Sequence, residues 1–116
     1  MNLYERKKIK MKFIIGSRVS GVTTDLIFEA SKFNEPIIVP DEASAKHIKC
    51  LCTTYDIPCP EIYTFREIKN PMFFKGRRIE TIHISDVDAF IKYVLNGYGY
   101  MGGIGTVSAS LDSFSK

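Results

Sequence analysis

Apolar positions in this chain recur in two patterns. Short runs rich in β-branched residues occur at Lys12 to Ile15, at Ile37-Ile38-Val39 between Pro36 and Pro40, at Glu61 to Phe65 and at Arg78 to Ile84. Such runs have the length and composition of strands. Between them lie stripes at helical spacing: Leu26, Ile27, Ala30 and Phe33, then Ala45, Ile48, Leu51, Cys52 and Tyr55, then Val87, Phe90, Ile91, Val94 and Leu95. The last, spaced i, i+3, i+4, i+7, i+8, is the clearest amphipathic helix in the chain.

The punctuation agrees with this division. Asn34-Glu35-Pro36 stops the first helix, Asp41 is placed to cap the second, and Asp56-Ile57-Pro58 closes it. Thr64-Phe65-Arg66-Glu67 has the capping-box pattern and predicts a short helical turn ending before Asn70-Pro71. The third long helix is predicted to start at Ser85 or Asp86 and to end at Asn96-Gly97, and a last short strand follows from Thr106 to Ala109. Strands alternating with helices are what parallel βα units produce, so the expected fold is an α/β three-layer sandwich around a mainly parallel five-stranded sheet.

Length adds that there is one domain: 116 residues, 45% of them hydrophobic, suffice for one core. Residues 12–110 form it, between a basic extension over 1–11 and a tail over 111–116. The net charge of +3 is concentrated in the head, where Arg6, Lys7, Lys8, Lys10 and Lys12 stand against Glu5, while the remainder holds eleven basic and twelve acidic residues. A near-neutral body argues against a dedicated nucleic-acid surface. The head reads either as a frayed end or as a short arm for an anionic partner. It lacks the apolar core and cleavage site of a signal peptide, and no apolar stretch approaches a membrane span, so a soluble cytoplasmic protein with no membrane partner is expected.

The chemistry concentrates after the first predicted strand. Gly16-Ser17-Arg18-Val19-Ser20-Gly21-Val22-Thr23-Thr24 keeps both glycines of the G-x-x-x-x-G-K-[ST] phosphate loop, their spacing and the hydroxyl. Backbone N–H groups and the following helix N-terminus favour an anion there, with Thr23 in the magnesium-coordinating place. Val22 stands where the lysine that bridges the β- and γ-phosphates belongs.

With this loop set between a strand and a helix, residues 12–109 resemble the first RecA-like domain of P-loop NTPases, particularly the nucleotide-binding core of superfamily one and two helicases, in a small, phage-type single-domain version. Further matches are Pro36-Ile37-Ile38-Val39-Pro40, the threonine-phenylalanine element at Tyr63-Thr64-Phe65, the Walker B position at Ile82 to Asp88, and Thr106-Val107-Ser108-Ala109-Ser110 at the Ser-Ala-Thr strand end. The resemblance implies ATP or another nucleotide with magnesium as cofactor. It implies phosphate contacts from Gly16, Ser17, Arg18, Ser20, Gly21, Val22, Thr23 and Thr24, and Asp86 as the one residue toward the metal. Ser85-Asp86-Val87-Asp88 laid on Asp-Glu-Ala-Asp loses the metal aspartate and the catalytic glutamate, and a shift of one residue leaves Val87 at the general base. With Val22, this predicts very slow hydrolysis or none. Arg18, Arg77 or Arg78 is the available substitute cation, and the plain alternative for Asp86 and Asp88 is an acidic start to a helix.

Other groups change the picture little. His47, Cys50, Cys52 and Cys59 lack the spacing of a zinc knuckle, so no zinc is expected and the thiols read as reduced. His83 reads as a core or sheet-face histidine, since no nucleophile or G-x-S-x-G elbow accompanies it. Gly97 to Gly105, with Tyr98 and Tyr100, reads as a loop. Phe73, Phe74, Lys75, Arg77 and Arg78 combine rings and cations as single-stranded nucleic-acid sites do. Two functions follow. One is a degenerate P-loop NTPase-like protein, binding nucleotide weakly or not at all, that acts through a protein or nucleic-acid partner. The other is a pure interaction protein that inhibits or adapts a nucleic-acid enzyme.

Overall fold

A computed structural model of the chain describes residues 22–108. The elements are α1 (Val22–Phe33), β1 (Ile37–Val39), α2 (Glu42–Thr54), β2 (Ile62–Thr64), α3 (Phe65–Ile68), β3 (His83–Ile84) and α4 (Val87–Gly97). The three strands form one parallel sheet in the order β2-β1-β3. Ile37, Ile38 and Val39 pair with Ile62, Tyr63 and Thr64, while Ile37 and Ile38 pair with His83 and Ile84. This is an α/β fold, as the alternation predicts, but not the five-stranded RecA-like sheet. The predicted first strand, Lys12 to Ile15, lies outside the described residues. Thr106 to Ser108, the described part of the predicted last strand, carry no strand structure and are exposed.

Proline explains why the sheet is shallow. Pro36 and Pro40 bracket β1 and lack the N–H that would carry the ladder further, so the middle strand offers three residues to its neighbours. The predicted Arg78 to Ile84 strand accordingly pairs only at His83 and Ile84. Ser85 N–H donates to Ile38 O at 2.9 Å and His83 N–H to Pro36 O at 3.0 Å, which closes that pairing.

One face of β1 packs under α1 and α2. Ile37 and Val39 join Ile27, Ala30, Ala45, Ile48 and Cys52 in a buried cluster, edged by Leu26, Leu51, Ile57 and Ile62. Ile38 points to the other face and is equally inaccessible, so both faces of the middle strand are covered.

The long helices end alike, each with a residue in the left-handed region and the paired bonds of a Schellman turn. After α1 the residue is Asn34 (φ 52°), with Glu35 N–H donating to Ala30 O at 2.9 Å; after α2 it is Asp56 (φ 52°), with Ile57 N–H donating to Cys52 O at 2.8 Å. After α4 it is Gly99 (φ 88°), with Tyr100 N–H donating to Leu95 O at 3.0 Å. That helix therefore runs through Gly97 before stopping, at the predicted end.

The most amphipathic stripe in the sequence is the least buried in the structure. No residue of α4 is fully buried; Val87 is 46% exposed and Val94 42%. Val94→Ser is therefore expected to change the unfolding free energy by less than about 0.5 kcal/mol in urea denaturation. A loss the size of a core truncation would show instead that the stripe is a packed face.

Candidate functional site

A parallel sheet gathers the loops that follow its strands along one edge, and ligands favour the crevice where strand order reverses. Here the chain steps from β1 to β2 on one side and then crosses to β3 on the other. The reversal places the residues after β1, Pro40 and Asp41, and those after β3, Ser85 and Asp86, at the same edge, with Ser85 N–H bonded to Ile38 O at 2.9 Å. Joined to β1 by three residues, α1 packs into the same core through Ile27 and Ala30. Thr23 and Thr24 in its first turn are half-buried. Gly16, Ser17, Arg18, Ser20 and Gly21 lie outside the described residues.

Each carboxylate at this edge has a local partner. Asp41 caps α2, accepting Ser44 N–H at 2.8 Å, and that bond holds its carboxyl below the usual range. Asp88 is also held below the usual range, first by a hydrogen bond with the Asp86 side chain, then by the N–H groups of Asp88 and Ala89 and by Lys92. Asp86 is the N-cap of α4 but makes no side-chain cap bond, and its backbone is left-handed (φ 68°, ψ 70°). Asn34 and Asp56 share that left-handed backbone, which aspartate and asparagine adopt more readily than other side chains. Nothing in the sequence signals that backbone, nor the strand order that sets Asp41 and Ser85 at one edge.

Toward a magnesium ion these residues offer Asp86 and its partner Asp88. Among the described residues no three histidine, cysteine or acidic side chains converge to hold a metal. His47 and Cys50 are exposed on α2, Cys52 is buried and Cys59 is exposed.

Residues proposed as substitutes or platforms have structural roles. Arg77 lies 4.2 Å from the centre of the Phe73 ring and 5.9 Å from that of Tyr63, and it donates to the Phe73 carbonyl. Phe73 is buried edge-on against Tyr63, with ring centres 4.8 Å apart. Tyr63 in turn donates to the Glu61 carboxylate, which pushes its phenol above the ordinary value. Arg77 thus closes an aromatic stack, while Arg78 is exposed. Thr64 is equally occupied: the capping box forms, with Glu67 N–H donating to Thr64 Oγ1 at 3.2 Å and Thr64 N–H donating to Glu67 Oε1 at 3.0 Å. In the glycine-rich loop, Tyr100 OH donates to Gly103 O. The Tyr100 ring also lies so close to Gly102 that a side chain there would collide with it, so the loop folds on itself.

His83 belongs to the opposite edge. Its Nε2 lies 2.8 Å from Glu35 Oε1, and both side chains are nearly buried. Removing the ring takes one hydrogen-bond partner from a nearly buried carboxylate, so His83→Ala is expected to cost about 1–3 kcal/mol in chemical denaturation. Glu35→Gln, which can still hydrogen-bond the ring, is expected to cost less. Equal losses would assign the contact to charge rather than hydrogen bonding.

Among the described residues no helix is long and apolar enough to cross a membrane. No family model, no curated protein and no solved structure matches the chain.

Proposed function

We propose that this chain is a degenerate P-loop NTPase-like protein that holds nucleotide phosphates weakly at the C-terminal edge of its sheet, does not hydrolyse them, and acts through a protein or nucleic-acid partner. The observation that carries this is the strand reversal around β1, which sets Ser85 and Asp86 at the edge where β1 gives way to Pro40 and Asp41. The glycine-spaced sequence Gly16 to Gly21 leads directly into the first turn of α1. Helix N-termini and the loops before them attract phosphate through free N–H groups and the helix dipole. Nucleotide would reach Gly16, Ser17, Arg18, Ser20, Gly21, Val22, Thr23 and Thr24, with Asp86 toward magnesium.

Turnover is a different matter. Val22 carries no charge for the β- and γ-phosphates, and with Asp86 toward magnesium the general-base position falls on Val87, which cannot accept a proton. Each lost group removes transition-state stabilisation that binding alone does not replace.

Val22→Lys tests this directly. Restoring the ammonium is expected to tighten ATP binding at least about tenfold, worth roughly 1.4 kcal/mol, in calorimetric titration. Gly21→Asp, which sets a carboxylate against the phosphates, is expected to abolish binding while the far-ultraviolet spectrum stays folded. If Val22→Lys binds no better than the parent chain, the loop is not shaped for phosphate.

A second reading, a pure interaction protein with no nucleotide role, is favoured by α4. Its apolar stripe is half open, and Tyr98 and Met101 just beyond it are more than four-fifths exposed. Apolar surface of this kind marks contact sites.

A further inference from the structure

The near-neutral charge of the body is unevenly spread. Residues 66–78 hold five basic residues, Arg66, Lys69, Lys75, Arg77 and Arg78, and one acidic residue, Glu67, whereas the rest of 22–108 holds four basic and ten acidic residues. All five cations are exposed, and the one carboxylate is committed to the cap of α3, bonded by Thr64 N–H and Oγ1. After α3 the chain is built of successive turns. Met72 N–H donates to Asn70 Oδ1 and Phe73 N–H to Asn70 O, both at 2.9 Å, Lys75 N–H to Met72 O at 3.2 Å, and Arg77 N–H to Phe74 O at 3.3 Å. The last of these turns has Gly76 left-handed at its third position (φ 78°), and its ends are Phe74 and Arg77. A turn of this kind holds its end Cα atoms within about 7 Å. Both end side chains rest on the buried Phe73: the Phe74 ring stands edge-on to it with centres 4.9 Å apart, and the Arg77 guanidinium lies 4.2 Å from its centre. Phe74 is nevertheless 42% exposed. An open ring and a cation are thus fixed on one support, with Lys75 and Arg78 adjoining them in the chain.

We propose that this turn is a binding surface for single-stranded nucleic acid, with Phe74 as the platform for a base and Lys75, Arg77 and Arg78 on the flanking phosphates. The concentration of positive charge in one short stretch of an otherwise acidic body complements a phosphodiester backbone. The ring narrows the choice of polyanion. A base in a single strand has a free face to stack on Phe74, whereas the bases of a duplex are closed against their neighbours, and an acidic peptide has no use for the ring. Arg77 is held in advance by its stack on Phe73 and its bond to the Phe73 carbonyl, so little of its side-chain freedom is lost on binding. Because every base has a face to stack, the surface reads no sequence. It uses none of the residues assigned to nucleotide phosphates and stands without that reading.

The test follows the fluorescence anisotropy of labelled oligo(U) and oligo(dT) of about 15 nucleotides, and of a duplex of that length, as the full chain is added. Nucleotide and magnesium are left out, which separates this result from that of the phosphate edge. The expected result is saturable binding of either single strand, half-complete at about 1–100 μM protein, with the duplex bound at least about tenfold more weakly. Phe74→Ala and Phe74→Leu are each expected to weaken strand binding at least about fivefold with the far-ultraviolet spectrum unchanged, and Phe74→Tyr, which keeps the ring, to retain it. Lys75→Gln together with Arg78→Gln is expected to make the dependence of log affinity on log salt shallower by about 1.4, at about 0.7 per phosphate contact. No binding of either strand would overturn the proposal. So would undiminished binding by Phe74→Ala or Phe74→Leu, equal binding of the duplex, or displacement of the strand by polyglutamate at equal charge. Loss of binding only when Arg6, Lys7, Lys8 and Lys10 are changed to glutamine would move the contact to the basic head and overturn it as well.

Discussion

Replacing Phe65 with alanine is expected to lower the unfolding free energy by about 3–5 kcal/mol, the range for truncating a buried ring. Phe65 opens α3 directly after β2 and is 2% exposed. Its ring meets Phe90 edge-on at 5.1 Å and Tyr93 at 5.7 Å, both on α4. Aromatic pairs of this geometry add about 0.5–1.5 kcal/mol beyond the area they bury. Because α4 has no fully buried residue of its own, this ring is a principal anchor of the helix, and the loss has a location. Amide exchange over Val87–Gly97 should accelerate more than exchange over β1, and Phe65→Leu should recover part of both effects. Equal acceleration in α4 and β1 would mean that Phe65 supports the whole domain rather than the helix.

Ile38→Ala should be comparably severe, at about 2–5 kcal/mol in urea denaturation, with Ile38→Val near 0.5–1.5 kcal/mol. Ile38 is the central residue of the middle strand, fully inaccessible, and paired with Tyr63 on one side and Ile84 on the other. It faces away from the cluster that holds Ile37 and Val39, so the substitution probes the second face of the sheet independently of the first. A loss below about 0.5 kcal/mol, the range of surface positions, would show that this face is not packed.

What could be read from the sequence was local. The stripes over α1 and α2, the prolines around β1, the Asp41 cap and the Thr64–Glu67 capping box each depend on residues a few positions apart, and the structure contains them, except that Tyr55 of the second stripe caps α2 and is exposed. What escaped depends on pairing between distant segments. Arg78 to Ile82 belong to a run with strand composition, but strand length is set by the partner, and β1 is only three residues long. The α4 stripe has ideal spacing, yet spacing says which residues share a face and not what lies against it. Tyr63-Thr64-Phe65 matched a helicase element, while in the fold the three residues form an aromatic stack, a helix cap and a core contact. At the candidate site, the loop and Asp86 were legible as chemistry. The left-handed backbone of Asp86 and the strand order that sets Asp41 and Ser85 at one edge were not.

Weak phosphate binding at the C-terminal edge of the sheet is most directly tested by titrating the purified chain with ATP, ADP and GTP, with and without magnesium, while following backbone amide shifts. Saturable changes at millimolar nucleotide or below, concentrated in Gly16 to Thr24 and extending to Asp41, Ser85 and Asp86, are the expected result. Unchanged spectra throughout, or shifts confined to the exposed face of α4, would contradict a nucleotide role and leave a protein that works through contacts alone.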